Sequence, residues 1–148
     1  IILNLGKDIK IDGYPNELTQ CLINIFNNAK DILKEKREEN SAIIIATMTQ
    51  DTNAIITIKD NAGGIPQEVL PQIFDPYFTT KHKSVGTGIG LYMSKQMVEK
   101  HMSGKITVKN IKHKLGTPDF YACTMFTIAI PKKSDDTMNE DDDEQAQF

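Results

Sequence analysis

Only two cysteines occur in 148 residues, Cys21 and Cys123. That is too few for a disulfide framework, and the position of Cys21 on an apolar helix face predicts a buried thiol. No apolar run approaches the 18 residues of a membrane helix, and nothing resembles a signal peptide. These absences lead us to expect a cytoplasmic domain with no membrane contact of its own, even where a longer parent protein is anchored in a membrane. An initiator Met is also missing: the chain opens on Ile1-Ile2-Leu3 and is expected to be a piece of a longer protein. Lys and Arg are absent from residues 134–148, which carry seven acids and form an expected disordered acidic tail outside the site. Residues 1–133 then hold 17 bases against 13 acids, a net charge of +4. That is too weakly basic to argue for nucleic acid, and the length suits a single domain with its own core.

What is present is strongly patterned. Leu18, Cys21, Leu22, Ile25, Ala29, Ile32 and Leu33 recur at three- and four-residue steps, which predicts a long helix from Pro15 to about Glu39 with one face on a core. Short strands are expected at Ile1–Leu5 and Asp8–Asp12 around a turn at Gly6-Lys7. A hairpin is expected from Ala42–Gln50 and Asn53–Lys59 about Asp51-Thr52. Gln67–Ile73 reads as a short helix and Leu91–Met102 as a longer one, followed by strands at Lys105–Lys109 and Thr124–Ile130. There is no internal repeat. The expected fold is α/β (α+β), a two-layer sandwich of a mixed, mostly antiparallel sheet with helices on one face.

Three stretches carry chemistry. Beside the apolar face of the first helix, Asn24, Asn28 and Asp31 form a polar stripe at i, i+4 and i+7. Amides at a core edge need partners. They are either satisfied structural groups or oxygen ligands for a hard cation arriving on a polyphosphate. Gly86-Thr87-Gly88-Ile89-Gly90 precedes a helix and offers backbone N–H groups to an anion. The glycine spacing is not that of the dinucleotide fingerprint, and no Gly-Lys pair is followed by Ser or Thr as a P-loop requires. Lys81 and Lys83 flank this loop as candidate charge partners or plain solvated charge. Asp60 closes an apolar strand and leads into Gly63-Gly64, either as a turn residue or as an acceptor for an exocyclic amine under a flat ring.

The order and spacing of four blocks resemble the ATP-binding catalytic domain of two-component sensor histidine kinases, within the GHKL group. Gln20 to Ala29 is similar to the N box, Asp60 to Pro66 to the first glycine box, Ile73 to Lys81 to the F box, and Gly86 to Leu91 to the second glycine box. The resemblance spans nearly all of residues 1–133. It implies ATP and Mg²⁺ as cofactors, with Asn28 on the metal and Asn24 near the phosphates. Asp60 would bond the adenine amino group, with Gly64 and Ile65 lining the base pocket. Thr79, Thr80 and Lys81 would start a mobile lid over residues 79–85, and Gly86, Thr87, Gly88, Ile89, Gly90 and Leu91 would form its phosphate-binding end. Asp31 and Thr124 join the implied nucleotide-binding set; Asn24, Asn28 and Lys81 are the implied catalytic residues. Two positions depart from the family pattern. Ala62 stands where a Gly usually follows the aspartate by two, and the usual Gly-Thr-Thr-Phe reads Cys123-Thr124-Met125-Phe126.

Relatives in the group that hydrolyse ATP, such as gyrase, carry a Glu one turn before the metal asparagine, and this chain has Asn24 there. An amide is no general base, so fast hydrolysis is not expected. His82, His101 and His113 all lack the context of a phosphoacceptor in this family. The resemblance therefore implies a catalytic domain that phosphorylates a histidine on separate dimerisation helices, with a response regulator downstream. A serine kinase of the anti-sigma type and a non-catalytic nucleotide-binding module are the alternatives.

Overall fold

In the computed structural model the described residues are 1–36, 39–81, 86–115 and 118–133. Strands β1 (Ile2–Leu5), β2 (Ile43–Gln50), β3 (Asn53–Asp60), β4 (Lys105–Lys114) and β5 (Phe120–Pro131) form one sheet in the order β1-β2-β3-β5-β4. Only β1 pairs in parallel, with β2; the other three ladders are antiparallel. The sheet is thus mixed and mostly antiparallel, as expected. Helix α1 (Pro15–Lys36) begins with Pro in its first turn, where a missing N–H costs nothing. The helix predicted from the sequence runs to about Glu39, which lies in a turn beyond α1; Arg37 and Glu38 lie outside the described residues, as does the acidic tail.

Cys21, Ile25, Ala29 and Leu33 are the buried positions of α1, one per turn. They pack on Ile43, Ile58, Phe126, Ile128 and Ile130 of the sheet and on Val98 and Met102. A second helix, α2 (Gly90–Gln96), continues into wider π-type turns over Met97–His101. Met102 N–H there reaches back five residues to the Met97 carbonyl, at 3.2 Å. Its junction with β4 is tight: a Cβ on Gly104 would lie 2.5 Å from the Ala129 carbonyl oxygen.

Three local expectations differ from the structure. Asp8–Asp12 makes a single bridge, Ile11 to Lys132, and no strand, because Asp8 turns the chain at φ 52°. Gln67–Ile73 contains one 3₁₀ turn, Leu70–Gln72, since Pro71 removes a helical donor. The β4–β5 hairpin extends well past the predicted strands, with Ile111 opposite Cys123 and Lys114 opposite Phe120. On β4 the added residues are mostly polar (Asn110, Lys112, His113 and Lys114), so there the ladder and not an apolar pattern holds the strand extended.

Candidate functional site

A cavity of about 850 Å³ opens between α1, the end of β3 and the segment leading into α2. The fold brings to it Asn24, Asn28, Asp31, Asp60, Gly64, Ile65, Thr79, Thr80, Lys81, Gly86, Thr87, Gly88, Gly90, Leu91 and Thr124. Ile89 alone of the implied nucleotide-binding residues does not line it. His82 and Lys83, with the rest of 82–85, lie outside the described residues.

Asp60 is 6% exposed at the last position of β3, facing Ile43 on one side and Thr124 on the other. Its Oδ1 accepts the Ala62 N–H at 3.0 Å. Its other oxygen has no hydrogen-bond partner among the described residues. Burial pushes the carboxyl up from its ordinary value, against the pull of the Ala62 N–H and the Lys36 ammonium. The chain then turns through Gly63 and Gly64 at φ 94° and 81°. Ala62 keeps a negative φ and is buried, so a methyl in place of the family's glycine is accommodated.

The two asparagines of α1 have different surroundings. The Asn24 amide donates to the Gly90 carbonyl at 3.1 Å and the Ser94 hydroxyl at 3.0 Å, and its oxygen accepts from Gln20. It ties α1 to α2 and has no donor to spare. One turn on, the Asn28 oxygen lies 3.4 Å from Lys81 Nζ, which also donates to Asp31 Oδ2 at 2.8 Å. That hydrogen bond, before anything else, holds the Asp31 carboxyl below its ordinary value. The Lys81 ammonium therefore sits between the Asn28 and Asp31 oxygens, which are of the hard-oxygen kind a Mg²⁺ ion takes and could hold one where Lys81 swings aside. The pair is partly exposed, at 33% and 43% for the side chains.

The side of the cavity formed by residues 77–81 and 86–90 is shaped by close approach. A Cβ on Gly88, at φ 68°, would sit 2.4 Å from the Tyr77 carbonyl carbon. The Tyr77 N–H donates to the Gly88 carbonyl at 2.9 Å, so the F-box segment and the glycine run hold one another. Only glycine permits that contact.

The sequence pattern missed several contributors. Ile32, Val69, Ile73, Phe78 and Phe126 supply apolar wall, and Asn61, Ser94 and Asn110 hold the frame. Asn61 is buried and clamps the end of β3 to residues 40–42, accepting from Ala42 N–H and donating to the Asn40 carbonyl. An apolar wall gives no motif, and an asparagine that bonds backbone leaves none either. His101 is exposed and contacts Glu17, and His113 lies on β4, both away from the cavity lining.

Comparison with known proteins fits this geometry. Residues 13–134 match the family described as histidine kinase-, DNA gyrase B- and HSP90-like ATPase. Sporulation kinase C of Bacillus subtilis (strain 168) is 31% identical over 84% of this chain and 26% of its own length. Sensor histidine kinase ZraS of Salmonella typhi is 36% identical over 82% of this chain and 23% of its own length. The chain thus spans about a quarter of these curated relatives. Among solved structures, the catalytic domain of histidine kinase ThkA superposes with a TM-score of 0.68 at 27% identity, covering 88% of this chain and 79% of that one. The aspartate beside two glycines, the asparagine stripe and the glycine run thus meet in one cavity on a sheet of this kind. The chain belongs to the family of histidine kinase-, DNA gyrase B- and HSP90-like ATPases, as an ATP-binding catalytic domain of the histidine kinase type.

Proposed function

We propose that this domain holds Mg·ATP and passes the γ-phosphoryl to a histidine on a separate helical dimerisation domain, from which it goes on to a response regulator. The observation that carries this reading is the shared cavity. It joins a buried carboxylate suited to an exocyclic amine, Asp60, with an oxygen pair that holds an ammonium, Asn28 and Asp31, and that ammonium itself, Lys81. Bound Mg²⁺ supplies charge neutralisation on the phosphate oxygens, and Asn28 is the residue that would hold it. Asp60 and the Gly63–Ile65 turn orient the base, Lys81 follows the phosphate charge, and the backbone of Gly86–Gly90 cradles it.

Asn24 stands where a water-activating Glu would be, and both of its donors are engaged. The domain offers no base at that position, and among the described residues no histidine lines the cavity, so on this reading phosphoryl transfer waits for an imidazole brought in by a partner. Tethering supplies that partner at high effective concentration. The isolated chain is expected to hydrolyse ATP slowly and take no label from [γ-³²P]ATP. Mixed with the helical domain of its parent, it should place an acid-labile, base-stable phosphate on a partner histidine. Self-labelling, or phosphoserine on the partner, would overturn this reading in favour of serine phosphorylation.

A further inference from the structure

Three adjacent strands of the sheet, β3, β5 and the edge strand β4, align a row that no sequence motif connects. Asp60 of β3 pairs with Thr124 of β5, and Thr124 pairs with Asn110 of β4. All three stand at the same height on adjacent strands. Asp60 and Thr124 line the cavity; Asn110 does not. Its carboxamide instead clasps the turn beyond Asp60. Asn110 Oδ1 accepts the Ile65 N–H at 2.8 Å, and Asn110 Nδ2 donates to the Ile65 carbonyl at 2.6 Å. Both backbone groups of one residue are thus held by one planar side chain 45 positions away.

The neighbouring glycine is fitted to the same clasp. A Cβ on Gly64 would lie 2.9 Å from Asn110 Oδ1, and φ at that residue is +81°. Gly64 and Ile65 are the cavity wall beside Asp60. A turn of two positive-φ glycines is intrinsically loose, and it has few other anchors: Gly63 N–H donates to the Ala122 carbonyl at 3.1 Å.

From this arrangement we infer that Asn110 is the positioning residue for base selectivity, a role that depends on the nucleotide reading above. It touches no ligand. It fixes the Gly64–Ile65 wall at the spacing at which a planar base meets the Asp60 carboxylate, so the ordering cost is met before binding. Accepting the Ile65 N–H also removes that donor from base recognition.

The test is titration calorimetry of the full chain and its Asn110→Ala variant with ADP, IDP and ATP. IDP presents a carbonyl where ADP presents the amine. In the variant, ADP affinity should fall about tenfold, as two backbone bonds are released. The ADP-over-IDP preference should shrink by a similar factor, while the ATP-to-ADP affinity ratio stays unchanged because the phosphate side is untouched. Partial loss of structure would instead lower all three affinities by one common factor and leave both ratios where they are. If that variant melts too low to titrate, Asn110→Ser, which keeps a polar group but is too short to reach both the N–H and the carbonyl of Ile65, should show the same loss of base preference. A variant that keeps the ADP-over-IDP preference within twofold overturns the role of Asn110 alone. An unaltered chain that binds neither ADP nor ATP overturns the nucleotide reading and this role with it.

Discussion

Replacing Asp60 by Asn should move affinity and stability in opposite directions. The carboxamide preserves the shape and can still accept the Ala62 N–H that Oδ1 accepts now at 3.0 Å, so the turn into Gly63 survives. The second position changes from a charged acceptor to an amide donor facing the donor amine of adenine. A charge-assisted hydrogen bond contributes about 1.5–3 kcal/mol net, so the ADP dissociation constant should rise by roughly 10- to 150-fold. Stability follows a different rule. Burial raises the folded-state pKa of Asp60 above its unfolded value, so the native state binds the proton more tightly. Stability then falls as pH rises from about 4 through that raised value. The carboxamide has no such charge to bury. The Asp60→Asn chain without nucleotide should therefore melt higher than the unaltered chain at pH 7.5, and the gap should close as pH is lowered toward about 4. Titration calorimetry with ADP and melting curves across pH test both halves. Unchanged ADP affinity would remove Asp60 from the base pocket, and a lower melting point at pH 7.5 would refute the desolvation argument.

Three further substitutions probe the rest of the cavity. Asn28→Ala should weaken Mg·ATP far more than metal-free ADP, because its oxygen is assigned to the ion; equal losses by calorimetry with and without Mg²⁺ would make it structural. Asn24→Ala should cost about 1–2 kcal/mol in urea unfolding through loss of its bonds to Gly90 and Ser94. The loss is bounded because the Ser94 hydroxyl keeps its own bond to the Gly90 carbonyl; a cost above about 4 kcal/mol would mean a buried group is left unpaired. Lys81→Met should change stability by less than about 1 kcal/mol at pH 7, since the Lys81–Asp31 pair is partly exposed. The Asp31 pKa is lowered in the fold, so that small contribution is present above about pH 4 and disappears as pH falls through the lowered value. Melts at pH 7 and pH 3 check it, and a difference that grows on acidification would contradict the sign.

The sequence by itself determined which segments could form the site. Asn24, Asn28 and Asp31 had to share a helix stripe because a helix repeats every 3.6 residues. The glycine run and the Asp60 turn were legible because backbone that must bend or approach closely calls for glycine. The core face of α1 was equally plain, since apolar periodicity is a local property of the chain. Pairing across the sheet was not local. Nothing near residue 110 in the sequence points to Ile65; only the register of β3, β5 and β4 sets Asp60, Thr124 and Asn110 in one row. Tertiary structure also decided the state of each amide. Asn24 and Asn28 look alike one turn apart, yet α2 packs against the first and takes both its donors, while Lys81 reaches the second from a distant loop. A side chain's chemistry is written in its type, but its partners are set by which strands and helices pack against it.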